Sequence, residues 1–284
     1  MMNKDSLKAR ANNLSKELNI PQNVVYNRFF FDAFLSRLAA SKYAHKFILK
    51  GGLFLSSLLG VDTRTTMDID FYLNKLSLEQ EQIVQIFDEI IHAKSNDGIS
   101  FKITDVSSIR LEDRYGGFQI AILGKFDNIK YQFRIDLATG DPIVPSEHPY
   151  NYQCLVTGDV LPLYTYSLES IIAEKLETVL SRGIVNSRAK DFYDLYIMRM
   201  TQLKNVHPEV LRVAFNKTCR YRNTTISKEG ALELINTIRS NDQIQHRWAR
   251  YTKSTLFAKD LAFDDVINAI LNWIDDIFIV IKNS

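Results

Sequence analysis

The chain has 284 residues, 46% hydrophobic and 24% charged, with 35 Lys and Arg against 33 Asp and Glu. That length can bury a substantial core in one or two domains, and a net charge of +2 does not by itself announce a nucleic-acid binder. Cys154 and Cys219 are too few for a disulfide framework, and the charged N-terminus carries no secretory apolar stretch, so the expected location is the cytoplasm.

In chain order, helical periodicity predicts helices over Ser6–Leu18 and Gln22–Ser41. The second is rich in Phe29, Phe30, Phe31, Phe34, Leu35 and Leu38 and is expected to be mostly buried. Strands are expected near Lys46–Lys50 and Met67–Leu73, then a helix from Leu78 to Lys94. Ile99–Asp105, Phe118–Phe126 and Lys130–Ala138 read as further strands of one mixed sheet, with Asp127-Asn128 a hairpin turn candidate. Pro142, Pro145, Pro149, Gly158 and Pro162 mark a loop-rich crossing, after which the pattern is helical. The expected organisation is an α/β domain over 1–145 and an α-helical domain over 146–284. Asp264, Asp265, Asp275 and Asp276 interrupt the apolar run from Ala262 to Ile281, which reads as an amphipathic helix and not a membrane span.

Two acidic motifs lie on the expected strands. In Thr66-Met67-Asp68-Ile69-Asp70-Phe71-Tyr72-Leu73, alternation puts Asp68 and Asp70 on one face, with Met67, Ile69, Phe71 and Leu73 toward the core. In Tyr131–Ala138, Phe133, Ile135 and Leu137 point inward, while Gln132, Arg134 and Asp136 share the other face. Carboxylates held side by side repel unless a cation lies between them, and Mg²⁺ takes one or two carboxylates plus substrate phosphates. Gly51-Gly52, before a helix, lets the backbone approach a phosphate beside unpaired N–H groups. Arg64 and Thr65 stand close enough to the acidic strand to reach a phosphate too. Alone, Asp-x-Asp also occurs on solvated edge strands, and a glycine pair is as readily a plain turn. The ordered combination is far more specific.

The helical half carries a second cluster. Leu168, Ile171, Ile172, Val179 and Leu180 mark an apolar stripe, and Lys175 falls inside it, where a charge needs a partner. On the next helix Asp191, Asp194, Leu195 and Met198 share one face, and a short connection makes the two helices antiparallel neighbours. Lys175 should therefore meet Asp191 and Asp194, either as a buried register-fixing ion pair or as a functional group.

The pattern Lys50-Gly51-Gly52, Arg64-Thr65, Asp68-Ile69-Asp70-Phe71, continued at Ile135-Asp136, Glu174-Lys175-Leu176 and Arg188–Leu195, resembles the AbiEii/AbiGii toxin family of the DNA polymerase β-like nucleotidyltransferase superfamily. The resemblance covers roughly Phe47 to Ile197. It implies a nucleotidyltransferase-type fold in which Asp68, Asp70 and Asp136 hold Mg²⁺ on an NTP. Lys50, Gly51, Gly52, Arg64, Thr65 and Lys175 would bind the nucleotide. Asp191 would order Lys175 or handle a proton, with Asp194 in support. It further implies nucleotide addition to an RNA acceptor such as a tRNA 3′ end, an antitoxin with a DNA-binding domain, and abortive infection against phage. Where the wider superfamily usually has Gly-Ser this chain has Gly51-Gly52, so a hydroxyl contact to the phosphates is missing. Other members of the superfamily modify proteins or small molecules, and a non-catalytic nucleotide-binding module is a further alternative.

Between Arg199 and Lys259 twelve Lys and Arg face four Asp and Glu, with Tyr221, Trp248 and Tyr251 interspersed. Arg220, Arg222, Arg247 and Arg250 are the expected RNA contacts on that surface, against the blander reading of a solvated basic face.

Overall fold

In a computed structural model of the protein, the structure describes residues 2–74, 79–110 and 116–278. The elements run α1 (Lys4–Glu17), α2 (Gln22–Ala39), β1 (Phe47–Lys50), α3 (Gly51–Leu59), β2 (Asp68–Leu73), α4 (Gln80–Ile91), β3 (Ile99–Arg110), β4 (Gly116–Phe126), β5 (Ile129–Ala138), β6 (His148–Gln153) and β7 (Val160–Thr165). Helices then follow one another: α5 (Leu168–Arg182), α6 (Ala189–Gln202), α7 (Pro208–Arg222), α8 (Lys228–Ser240), α9 (Asp242–Ser254) and α10 (Phe263–Phe278). The chain divides into two compact units, 1–140 with 147–166, and 141–146 with 167–284. Leu78, the expected start of the α4 helix, and Ile281, the expected end of α10, lie outside the described residues.

The first unit holds a seven-stranded mixed sheet in the order β3-β4-β5-β2-β1-β7-β6. β2 runs parallel to β5 and β1 parallel to β7, and the other neighbours are antiparallel. Asp127, at φ 53, makes the two-residue turn between β4 and β5, a left-handed conformation that Asp and Asn tolerate in hairpins. One face of the sheet is packed by α2, whose Phe31 and Phe34 meet Phe133 with ring centroids 5.1 and 6.4 Å apart. Phe34 also stacks on Phe87 of α4, and Phe29 sits edge-on to Phe126. Each such pair adds about 0.5–1.5 kcal/mol beyond its burial. That aromatic layer fixes which side of every strand is core.

β6 and β7 correct the loop-rich crossing expected over 140–162, where the composition shift had placed the domain boundary. Their prolines hid them. Pro149 is on the edge strand β6, and β7 pairs with β1 only at Tyr164 and Thr165, so Pro162 stands outside that ladder. The hairpin is fastened to α2 by the buried Asp32, which accepts from the Tyr152 hydroxyl and the Leu155 amide, each at 2.7 Å. Burial raises the Asp32 carboxyl above its ordinary range, against the lowering effects of Arg28 and these hydrogen bonds. Met67, expected in the core, is 52% exposed, because β2 begins at Asp68 and the alternation does not extend back to it.

The helical unit buries Ile171, Leu176, Leu195, Leu211, Phe215, Ile270 and Trp273, and the Trp273 indole N–H donates to the Leu195 carbonyl at 2.9 Å. Among the described residues no helix is long and apolar enough to cross a membrane.

Gly124 on β4 lies against the fully buried Phe30 ring, and a Cβ there would come within 2.4 Å of a ring carbon. Gly124→Ala should lower unfolding free energy by roughly 1–3 kcal/mol, as overpacking of a rigid core does, in urea titrations followed by fluorescence.

Candidate active site

The register of the sheet brings the first-unit acids together. Asp70 pairs directly with Asp136 across the parallel β2–β5 ladder, and neighbouring strands lie about 4.8 Å apart. Asp68 is two residues before Asp70 on the same face of β2, beside Arg134. Ile69, Phe71, Ile135 and Leu137 point the other way and are buried. The row extends through Lys50, paired with Asp70 on β1, and Gln119, paired with Asp136 on β4.

Each carboxylate is held by a local donor. The Thr66 hydroxyl donates to Asp68 Oδ1 at 2.6 Å, the Gly52 amide to Asp70 Oδ2 at 3.3 Å, and the Gln119 side-chain amide to Asp136 Oδ1 at 2.8 Å. Reading the sequence did not single out Thr66 or Gln119 as site residues. Position was the available signal for Gln119, which alternates onto the acidic face of β4, whereas Thr66 precedes β2 and reaches Asp68 from the loop.

Of the expected nucleotide-binding residues, Lys50, Gly51, Gly52, Arg64 and Thr65 belong to this unit. Gly51 opens α3 with φ +63, and a Cβ on it would come within 2.1 Å of Asp70 Oδ2. A Cβ on Gly52 would meet the Thr66 hydroxyl at 2.7 Å and the Arg64 guanidinium at 3.4 Å. Both positions therefore need glycine for close approach, and the first also for its backbone. Arg64 is buried beside Gly52 and donates to the Thr65 carbonyl. Lys50 caps the start of α3 and lies over the Tyr166 ring, 4.5 Å from its centroid.

Oxygen donors on one face suit a hard cation such as Mg²⁺. Among the described residues, no three His, Cys, Asp or Glu side chains by themselves converge on a metal position. The donor set fits a cation whose remaining ligands come from substrate phosphates and water, the usual arrangement for Mg²⁺. Asp68 and Asp70 would hold it, with Asp136 beside them.

In the helical unit, the Lys175 ammonium lies 2.8 Å from Asp191 Oδ1 and 2.7 Å from Asp194 Oδ2. Asp194 is fully buried and Asp191 nearly so. Burial works to lower the Lys175 pKa, but the two carboxylates and their hydrogen bonds outweigh it and raise it overall. The expected Lys–Asp–Asp cluster is present.

The expected RNA surface of this unit needs correcting. Arg222 is enclosed by Asp141, Glu174 and Glu177 at 3.0, 3.6 and 2.8 Å, so its charge is already neutralised. Trp248 is buried, packed on Phe263 and Tyr251 with its indole N–H on the Leu261 carbonyl, and offers no face to a base. Arg247 donates to the Asn186 carbonyl at 3.0 Å, while Arg220 and Arg250 are exposed. An amphipathic α9 places Trp248 inward for the same reason that it places Arg250 outward.

A family model described as the nucleotidyl transferase AbiEii toxin of type IV toxin–antitoxin systems matches residues 33–269. No curated protein matches the chain. Two crystal structures from Helicobacter pylori share the fold at 15% sequence identity and a TM-score of 0.53. One, described as a candidate nucleotidyltransferase, is matched over 91% of this chain and 96% of its own. The other, JHP933, is matched over 90% and 92%.

Lys175→Met should cost about 3–5 kcal/mol, because it leaves two buried carboxylates without their cation. Wild-type Lys175, with its pKa raised, keeps its contribution at every pH below its unfolded value. The stability gap between the two proteins should therefore be full at neutrality and begin to close only as pH rises above about 10.5, measured by denaturant titration.

Proposed function

Because the chain belongs to the AbiEii family of nucleotidyltransferase toxins from type IV toxin–antitoxin systems, we propose that it moves a nucleoside monophosphate from an NTP to a hydroxyl of an RNA acceptor. The acceptor is read as a tRNA 3′ end, whose modification blocks translation. In this reading the protein acts in the cytoplasm, is countered by a separately encoded antitoxin with a DNA-binding domain, and confers abortive infection against phage.

The observation that carries the reading is the in-register pairing of Asp70 with Asp136, with Asp68 on the same face and the Gly51-Gly52 helix start against them. Asp68 and Asp70 would hold the nucleotide's Mg²⁺, with Asp136 beside them. Mg²⁺, when bound, would neutralise the triphosphate and the charge developing in the transition state. The acceptor oxygen attacks the α-phosphorus, a new P–O bond forms, and the bond to the β-phosphate oxygen breaks with its electron pair leaving on pyrophosphate. The acceptor proton passes to a carboxylate of the acidic face or to water. Glycine at 51 and 52 lets the triphosphate approach the backbone, and Arg64 stands beside that approach with a fixed positive charge. Positioning and fixed charge would supply most of the rate. Lys175 retains the phosphate-binding role that the resemblance gives it, with Asp191 and Asp194 holding its ammonium.

Each of the four radiolabelled NTPs, incubated separately with total tRNA and Mg²⁺, tests this. Wild-type protein should label RNA with at least one nucleotide. Asp68→Asn and Asp70→Asn should each lower the rate at least about a hundredfold, with far-UV circular dichroism showing that each variant is folded. Labelling that survives both substitutions refutes the metal-ligand roles.

Gly51→Ala would press on the Asp70 carboxylate and impose a left-handed backbone on alanine. It should cost roughly 1–3 kcal/mol in thermal unfolding and abolish labelling, whereas Gly60→Ala, also at positive φ but outside the acidic face, should lose stability only.

A further inference from the structure

The face that carries Asp70 and Asp136 does not stop at them. Along β5 it continues through Arg134 and Gln132 to Lys130, and across the ladder through Lys125 on β4 and Lys102 on β3. Lys102, Lys125, Lys130 and Arg134 are all exposed, and none shares an ion pair with another described residue. The acids on the same face are Asp105 on β3 and, beside Arg134 at the β2 end, Asp68. α2 and the aromatic layer pack the opposite face, so these cations are not balancing a buried charge.

Two features of this cationic face call for a cause beyond solubility. Lys125 and Lys130 are directly opposite one another, and like charges so placed destabilise a hairpin. Lysine on an edge strand guards against strand addition, which accounts for Lys102 on β3. It does not account for Lys125, Lys130 and Arg134, which lie on the interior strands β4 and β5.

We infer that this open face is the track that binds the phosphate backbone of the RNA acceptor and leads its end to the Asp70–Asp136 row. The inference rests on the reading of RNA as the acceptor. Successive outward residues of a strand are about 6.7 Å apart, so Lys130 lies about 20 Å from Asp136, a span of roughly six phosphates at helical rise. No aromatic ring is exposed on this stretch of the face among the described residues, so the contact is to the backbone and carries no base preference.

The test is the variant Lys102→Gln/Lys125→Gln/Lys130→Gln, read in three ways. Binding of total tRNA is measured by fluorescence anisotropy between about 50 and 200 mM salt. The expected result is at least tenfold weaker binding at the low-salt end, and a slope of log affinity against log salt shallower by about 2, since each lost phosphate contact contributes about 0.7–0.9. In the labelling reaction KM for tRNA should rise by a similar factor, with kcat at saturating tRNA and the NTP affinity of the free protein within about twofold of wild type. The melting temperature should be unchanged or higher, because the opposed lysines are gone. Wild-type labelling of RNA with an unaltered salt slope in the triple variant overturns the track and leaves the proposed reaction standing. Wild-type protein that labels a protein acceptor and neither binds nor labels tRNA overturns both.

Discussion

The structure depends on one pairing, the parallel register of β2 with β5. With Asp70 opposite Asp136, the apolar partners Ile69, Phe71, Ile135 and Leu137 all turn to the face that α2 packs. A slip of one residue would reverse every side chain of the strand, sending two carboxylates into an aromatic core and two large apolar groups into water. The cost of that alternative, several kcal/mol for each unpaired buried charge, holds the register. The acidic face is a consequence of core packing on the other side of a single sheet.

Concentrating carboxylates costs energy, and the two units meet that cost differently. In the helical unit Lys175 lies between Asp191 and Asp194 at hydrogen-bond distance, so one buried cation is shared by both carboxylates within the fold. In the sheet unit Asp68, Asp70 and Asp136 are half-buried and receive neutral donors from Thr66, Gly52 and Gln119. Lys50 pairs with Asp70 in the register, but it also lies over the Tyr166 ring. A metal–nucleotide complex bound on that face would stabilise the fold that holds it, so binding and the stability of the site are coupled in sign.

Much of this was legible in the sequence because it rests on periodicity. Alternation located the acidic faces of β2 and β5, and helical spacing with a short connection brought Lys175 to Asp191 and Asp194. What escaped notice depends on context that period does not carry. Pro149 and Pro162 argued against strands, yet an edge position and a truncated ladder tolerate them. The basic segment of the helical unit looked continuous in sequence, but Arg222 is enclosed by Asp141 and by two glutamates of α5. Charge counts along a chain cannot see such neutralisation, and a net charge of +2 gives no sign of the lysines on β4 and β5.

The absence of a serine after the first glycine of the site has a steric account. A side chain at position 52 would begin within 2.7 Å of the Thr66 hydroxyl, the group that holds Asp68. Serine at 52 and threonine at 66 would compete for one space, and the hydrogen bond to Asp68 would be the first to break. Threonine at 66 is β-branched and restricted at χ1, so it holds a carboxylate at lower entropic cost than a more freely rotating serine. The chain thus gives the available space to a hydroxyl that orients an acid. The amide of Gly52 and the buried guanidinium of Arg64 are the polar groups left beside the α3 start. Glycine at 52 is therefore part of the carboxylate scaffold as well as of the phosphate approach.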